Sequence, residues 1–274
     1  VFGGGIRNMD QCGMTIAASL SRALAALRPG DTFVLPDGDI IGNIVLPRAL
    51  SGAKGRPIMI RGGERTRIIA QDNRKAALGG GGCKWLWLRG IATVGGLNGF
   101  QFSQNGDAYD PASMIEQIYL TDCHAADPVD DCFKFNGGRE AHMNLCSGRG
   151  GRDQIVDFLG IQRGSIRRSA FGGATCAITC KGGTQAIEIR ANDIRACVDG
   201  IHYGERTAPR WQAPWTERSA ERITIVNNDI AVTGNPIALA KGADADVAQL
   251  LRDNRLTTTK RAKGQMARLV EVYG

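Results

Sequence analysis

Between Ile118 and Gly274 the apolar residues come in short alternating runs. Ile187/Ile189, Ile223/Ile225 and Phe133/Phe135 each skip one position, the two-residue period of a strand with one buried face. Six first strands are expected at Ile118-Tyr-Leu-Thr-Asp, Met143-Asn-Leu-Cys, Ser165-Ile-Arg-Arg-Ser, Ala186-Ile-Glu-Ile-Arg, Arg222-Ile-Thr-Ile-Val and Gln249-Leu-Leu-Arg. Each is followed by a turn and a second short strand that stops at a glycine. The closing glycines, Gly137, Gly160, Gly182, Gly204, Gly242 and Gly274, stand 23, 22, 22, 38 and 32 residues apart. A period near 22 is one coil of a solenoid, and the two longer intervals hold inserted loop. So short a strand pair cannot bury its apolar face alone and must stack on its neighbours.

A second sign fixes the register. Asn192-Asp-Ile, Asn228-Asp-Ile and Asn254-Arg-Leu place an asparagine at the same point of the repeat, where stacked amides can bond along the axis. The pattern predicts a parallel β-helix. A β-sandwich, the alternative, has strands recurring every 8 to 12 residues or so.

Ahead of the repeats, Asp10 to Leu27 carries Ile16, Leu20, Ala23, Leu24 and Leu27 on one helical face. Asp10 or Thr15 would cap its start and Pro29-Gly30 ends it, giving a helix that covers the first coil. The chain therefore reads as an N-terminal cap over 1–30 and one β-helix over 31–274. Residues 98–117 lose the repeat, and the largest excursion is Glu205 to Ala220.

Composition changes this picture little. The 37 glycines and 6% aromatic content suit many tight turns around a small aliphatic core. The formal charge of +7 points to an anionic partner. Lysine and arginine are scattered without a run of five, which makes nucleic acid an unlikely one. No apolar run reaches the ~18 residues of a membrane span. The sequence opens at Val1 with neither an initiator methionine nor a leader pattern, so its compartment is not legible from a leader. Eight cysteines are too few for a disulfide-built scaffold. Cys176 and Cys197 sit six and seven residues before their closing glycines, close enough in register to suggest a bridge.

The phrase Leu27-Arg-Pro-Gly-Asp-Thr-Phe-Val-Leu-Pro-Asp-Gly38, followed by Gly55-Arg-Pro-Ile-Met-Ile-Arg-Gly62, resembles the opening coils of the pectin-lyase-like superfamily. Lys181-Gly-Gly-Thr and Asp199-Gly-Ile-His-Tyr-Gly204 extend the resemblance along nearly the whole chain. It implies a single-stranded right-handed parallel β-helix of about eight to nine coils with a short capping helix. The superfamily holds pectate and alginate lyases, polygalacturonases, epimerases, phage tailspikes and non-catalytic adhesins. No lyase motif matches residue by residue, so the resemblance specifies fold more closely than reaction.

In that superfamily the substrate groove follows the outer face of one stacked sheet. If Phe133 and Phe135 point inward, Lys134 points outward, with Asp157 and Thr179 one and two coils further on. Asp131, Asp153, Lys181, His202 and Glu205 lie near the same edge. The implied function is to bind, and by β-elimination to cleave, an acidic polysaccharide. Lys134 or Lys181 would be the base if neighbours lower its pKa, with His202 beside them. Arg206 would neutralise the uronate carboxylate, or Asp131, Asp153 and Asp157 would hold a Ca²⁺ ion. Trp211, Trp215 and Arg210, in the long excursion, suit a sugar ring and its acid group. Trp85 and Trp87 share one strand face and read as packing residues. A zinc site at Cys123, His124 and Cys132 lacks the usual spacing.

The end of the chain supplies a rival reading. Arg268-Leu-Val-Glu-Val-Tyr-Gly274 reads as a closing strand whose coil end would be exposed. Either the preceding loop or another chain must cover it. A self-associating phage tail or virion component, or an adhesin, would do the latter. Both readings place the protein outside the cell, on its surface or in a virion.

Overall fold

The computed structural model describes residues 16–48, 50–106, 108–205, 207–259 and 269–273. Its strands form three long parallel sheets of eight, nine and nine strands, here A, B and C. The chain visits A, B and C in turn and then starts the next coil, so each strand pairs with its equivalents about one repeat away. This is a parallel β-helix of eight full coils and a partial ninth.

Three findings correct the sequence reading. Each coil has three strands, because the turn carrying the asparagine is only a corner and a further strand follows it. In one coil these are Ile187–Arg190 (A), Asp193–Arg195 (B) and Asp199–Tyr203 (C). The strand expected at Gln249-Leu-Leu-Arg is helix α2, Val247–Arg252, which takes the place of a sheet A strand in the last coil; α1 is the N-terminal helix described below. The Asp246 side chain accepts from the Gln249 amide at 3.2 Å and caps it, and Leu250 is buried. The repeat also persists past residue 98, since Phe100–Ser103 pairs in sheet C and the excursion begins only after it.

The core follows from the alternation. Phe133 pairs with Val156, and Phe135 with Phe158, all fully buried. Phe100 stacks on Phe133 at 5.2 Å and Phe102 on Phe135 at 5.9 Å, while isoleucines fill the coils above. At the A–B corner Asn192 Nδ2 donates to Asn228 Oδ1, and Asn228 Nδ2 to Asn254 Oδ1, both at 2.9 Å. Ser169 and Cys146 carry the same column toward the N-terminus. The Ser169 amide donates to Asn192 Oδ1 and the Cys146 amide to Ser169 Oγ, both at 3.0 Å. Amide, hydroxyl and thiol all fit a buried corner that must accept a backbone N–H.

Helix α1, Ile16–Ala25, lies against the first strands of sheets B and C and buries Leu24 completely. Its expected caps, Asp10 and Thr15, lie outside the described residues, as do Arg268 and Gly274 of the closing strand. At the other end α2 packs against Arg255–Thr258 and Val270–Tyr273 of the last coil, while the loop expected to fold over that coil's end, 260–268, lies outside the described residues. The bridge between Cys176 and Cys197 does not form. Cys176 stands beside Asp199 in register, and both cysteines are free and buried. Cys123 and Cys132 are buried while His124 is exposed on the surface, so they share no metal site. No helix among the described residues is long and apolar enough to cross a membrane.

Candidate functional site

The outer face of sheet C carries the predicted row in the predicted register. Lys134 pairs with Asp157, Asp157 with Thr179, and Thr179 with His202. Two positions along, Leu159 pairs with Lys181. Strand alternation turns these side chains away from the phenylalanine core, yet they are far from exposed. Asp131 and Asp157 are fully buried, and the Lys134 and Lys181 side chains retain 22% and 16% of their exposure.

The two lysines converge on one carboxylate. Lys134 Nζ lies 3.2 Å from Asp157 Oδ2, and Lys181 Nζ lies 3.5 Å from Asp157 Oδ1. Lys134 also donates to Asp131 at 2.5 Å and meets Asp130 at 3.5 Å, while Lys181 meets Glu205 at 3.3 Å. Burial by itself would lower both amine pKa values, but the charges of Asp157 with Asp131, and of Asp157 with Glu205, outweigh it and hold both above the ordinary lysine value. That is the reverse of what a lysine base needs. Burial and the charge of Asp157 push Asp131 up to about 7 against the pull of Lys134.

His202 Nε2 lies 3.1 Å from Asp199 Oδ2. Burial works against its charge, but bonding to Asp199 and Cys176 raises its pKa to about 10, so it is an imidazolium near neutrality. Arg206 lies outside the described residues.

The predicted calcium ligands divide. Asp131 and Asp153 do come together, but the third member of the cluster is Asp130, their oxygens all lying within 4.8 Å. Asp157 faces the lysines instead. A cation also finds the cluster in use: the Gln154 amide donates to Asp131 Oδ1 at 3.0 Å and the Lys134 ammonium takes Oδ2. Both Asp131 oxygens are thus engaged, while Asp130 and Asp153 each bring a carboxylate oxygen to the same cluster.

The long excursion folds back onto the rim of this face, where it meets Tyr109 from the earlier one. Tyr109 donates its hydroxyl to the Trp211 carbonyl at 2.5 Å and meets Trp215 edge-on at 5.0 Å. Trp215 Nε1 donates to the Gly183 carbonyl at 2.8 Å. The close approach needs glycine in the coil: a Cβ on Gly160 would lie 2.5 Å from the Tyr109 hydroxyl, and one on Gly182 would lie 2.9 Å from the Trp211 carbonyl. Both tryptophans are half-buried clamps for the loop, and Arg210 is exposed with its guanidinium 5.5 Å from the Trp211 ring centre. Tyr109 had no sign in the sequence beyond the break in the repeat around it.

Toward the N-terminus the same face opens into a hollow of about 460 Å³. Gly79 and Gly81 leave its floor without side chains, and Arg48, Lys75, Gln101, Ser103 and Asn105 stand around it.

No protein-family model matches the sequence, and no curated protein matches it. Among solved structures the chain is similar to an alginate lyase from Paenibacillus sp. str. FPU-7, with a TM-score of 0.54 at 15% identity over 95% of this chain and 94% of that one. It also matches a mannuronic acid specific polysaccharide family 6 lyase from human gut microbiota, with a TM-score of 0.34 at 14% identity over 93% of this chain and 76% of that one. A mutant of the PL6 family alginate lyase AlyGC gives 0.40 at 13% identity, over 94% and 52% respectively. Only the first superposes well enough to bear on the fold, and at 15% identity it supports the β-helix and nothing finer.

Proposed function

We propose that the protein is a member of the pectin-lyase-like superfamily that binds an acidic polysaccharide along the outer face of sheet C, its uronate groups meeting Lys134 and Lys181. The observation that carries this is the sharing of one buried carboxylate, Asp157, by two protonated lysines. Lys134 meets Asp131 and Asp130 as well, and Lys181 meets Glu205, so both ammonium groups are held charged and matched by carboxylates. Asp130 and Glu205 do so from the rim, where their side chains are 38% and 34% exposed. Of the carboxylates around the two lysines these are the most open to water, and a sugar carboxylate can take their place. The hollow over Gly79 and Gly81 continues the track for neighbouring sugars, and the Tyr109–Trp211–Trp215 wall bounds it at the far side.

The similar structure is an alginate lyase, and a uronate polymer is the ligand class taken from it. Cleavage by β-elimination needs a neutral base within reach of the sugar. The carboxylates around Lys134 and Lys181 keep both amines charged, so the reading favoured is binding. No feature of the described residues favours a virion or adhesin role.

Calorimetric titration with alginate and pectate oligosaccharides tests this, with absorbance followed for unsaturated product. Saturable binding that weakens with salt is expected, reduced at least tenfold in the paired variant Asp157→Asn with Lys181→Gln, which removes a cation together with its carboxylate. Equal binding of a neutral oligosaccharide, or undiminished binding by the paired variant, would reject it. Unsaturated product would show that a base operates after all.

A further inference from the structure

Sheet A turns a different surface to solvent. Its outward positions form two columns, Met59–Trp87–Tyr119–His142–Ser165–Glu188 and Arg61–Arg89–Thr121–Asn144–Arg167–Arg190. The strands of this sheet hold five basic residues, Arg61, Lys84, Arg89, Arg167 and Arg190, against two acidic ones, Glu116 and Glu188. Arg167 and Arg190 both bond Glu188. Arg61 and Arg89 have no such partner: neither makes an ion pair or a side-chain hydrogen bond among the described residues, and both are exposed. They are direct neighbours in register, one strand spacing of about 4.8 Å apart. Like charges set side by side on a sheet oppose folding.

Apolar surface adjoins them. Val34, next in the arginine column, is 51% exposed, and Trp87 is 40% exposed with Met59 on one side and Tyr119 at 5.5 Å on the other. Val34, Met59, Arg61 and Arg89 line a hollow of about 460 Å³. Glu64 and Asp122 also border it, Asp122 lying 3.4 Å from His124.

We infer that this face is a second, separate anchoring site for an acidic polysaccharide. The ligand class rests on the preceding proposal; the site does not. Two guanidinium forks a strand apart suit carboxylates presented in series, since each fork can grip one in two-point fashion. The exposed edge of Trp87, with Met59 and Val34, gives the C–H face of a sugar ring an apolar seat. Glu64 sets a limit on how strongly the hollow attracts an anion, and its removal should strengthen the site.

Calorimetry with a purified alginate hexasaccharide separates the two faces. The wild-type protein is expected to bind two molecules per chain. The variant Arg61→Ala with Arg89→Ala should bind one, with the remaining affinity changed less than twofold. The Asp157→Asn with Lys181→Gln variant should keep the site that the arginine variant loses, and Glu64→Gln should tighten it two- to fivefold. A wild-type stoichiometry of one that survives the arginine changes overturns the second site and leaves the sheet C proposal standing. A stoichiometry of one that the arginine changes abolish leaves only the sheet A site. Absence of binding in every arm rejects both, and a DNA duplex binding as tightly as the hexasaccharide rejects the carbohydrate assignment of the arginine face.

Discussion

Sheets A and C are built from the same repeat, yet their outer faces spend charge in opposite ways. On sheet C, Lys134 and Lys181 are drawn under the rim to either side of the buried Asp157 carboxylate, so the three ions are mutually dependent. On sheet A, Arg61 and Arg89 stand in water without a counter-ion among the described residues. The cause lies in the corners. Sheet C ends where the two long excursions leave the coil, and their return walls the rim of its face with Tyr109, Trp211 and Trp215. Sheet A leads into the tight asparagine corner, which has no length to spare for a cover. Charge drawn down behind such a wall must be paired to persist; on the open face Arg61 and Arg89 can stand unpaired.

The contrast is broken most forcefully by Asp157→Ala. Two half-buried ammonium groups would lose the carboxylate they share, a loss of about 3–5 kcal/mol. Arg61→Ala and Arg89→Ala should each stay within about 0.5 kcal/mol of the parent. Urea unfolding midpoints measure both, and similar shifts for the two faces would contradict the difference in burial.

A second effect is expected with pH. Asp131 is raised from the ordinary carboxylate value of 3.8 to about 7 by burial and Asp157. Between those values the folded chain holds a proton that the unfolded chain has released, so this group's contribution to stability is full below about pH 4 and is lost as pH rises to about 7. His142 works in the opposite direction. Burial lowers its pKa below the ordinary 6.5 despite its bond to Glu140, so stability is gained as pH rises up to that value. The difference between the parent and Asp131→Asn isolates the first effect. Their unfolding free energies should diverge with a slope between pH 4 and 7 and run parallel above it; a parallel course throughout would remove Asp131 as a buried proton carrier. No sheet A arginine variant should alter that slope.

The mildest test concerns the rim. Glu205→Gln and Asp130→Asn should each tighten uronate binding about two- to fivefold, the equivalent of an exposed ion pair. Weaker binding in either would mean that these carboxylates hold the lysines in place for the ligand and do not compete with it.

How much of this was legible beforehand depended on periodicity. The Lys134–Asp157–Thr179 register could be read because phenylalanine and isoleucine alternate strictly on the inner face, and the asparagine column because one residue type recurs at one corner. The third strand of each coil was hidden, since runs such as Asp193–Arg195 are too short to show a period. The helix at Val247–Arg252 has the same apolar pattern as a strand over four residues, and only its Asp246 cap and the burial of Leu250 decide the matter. Side-chain chemistry was less legible still. The sequence placed Lys134 and Lys181 on one face, but a lowered lysine pKa depends on how many carboxylates approach, and Asp130, Asp131, Asp157 and Glu205 arrive from two coils and a loop. Arg61 and Arg89 passed unnoticed because they are 28 residues apart; only the strand pairing makes them neighbours.

Electrophoresis of the native protein through a gel loaded with alginate, beside one loaded with an uncharged glucan, puts the main conclusion to the shortest trial. Retardation in the alginate gel alone, relieved by added salt, is the expected result. Equal mobility in the two gels at low salt would contradict an acidic polysaccharide as the ligand of either face.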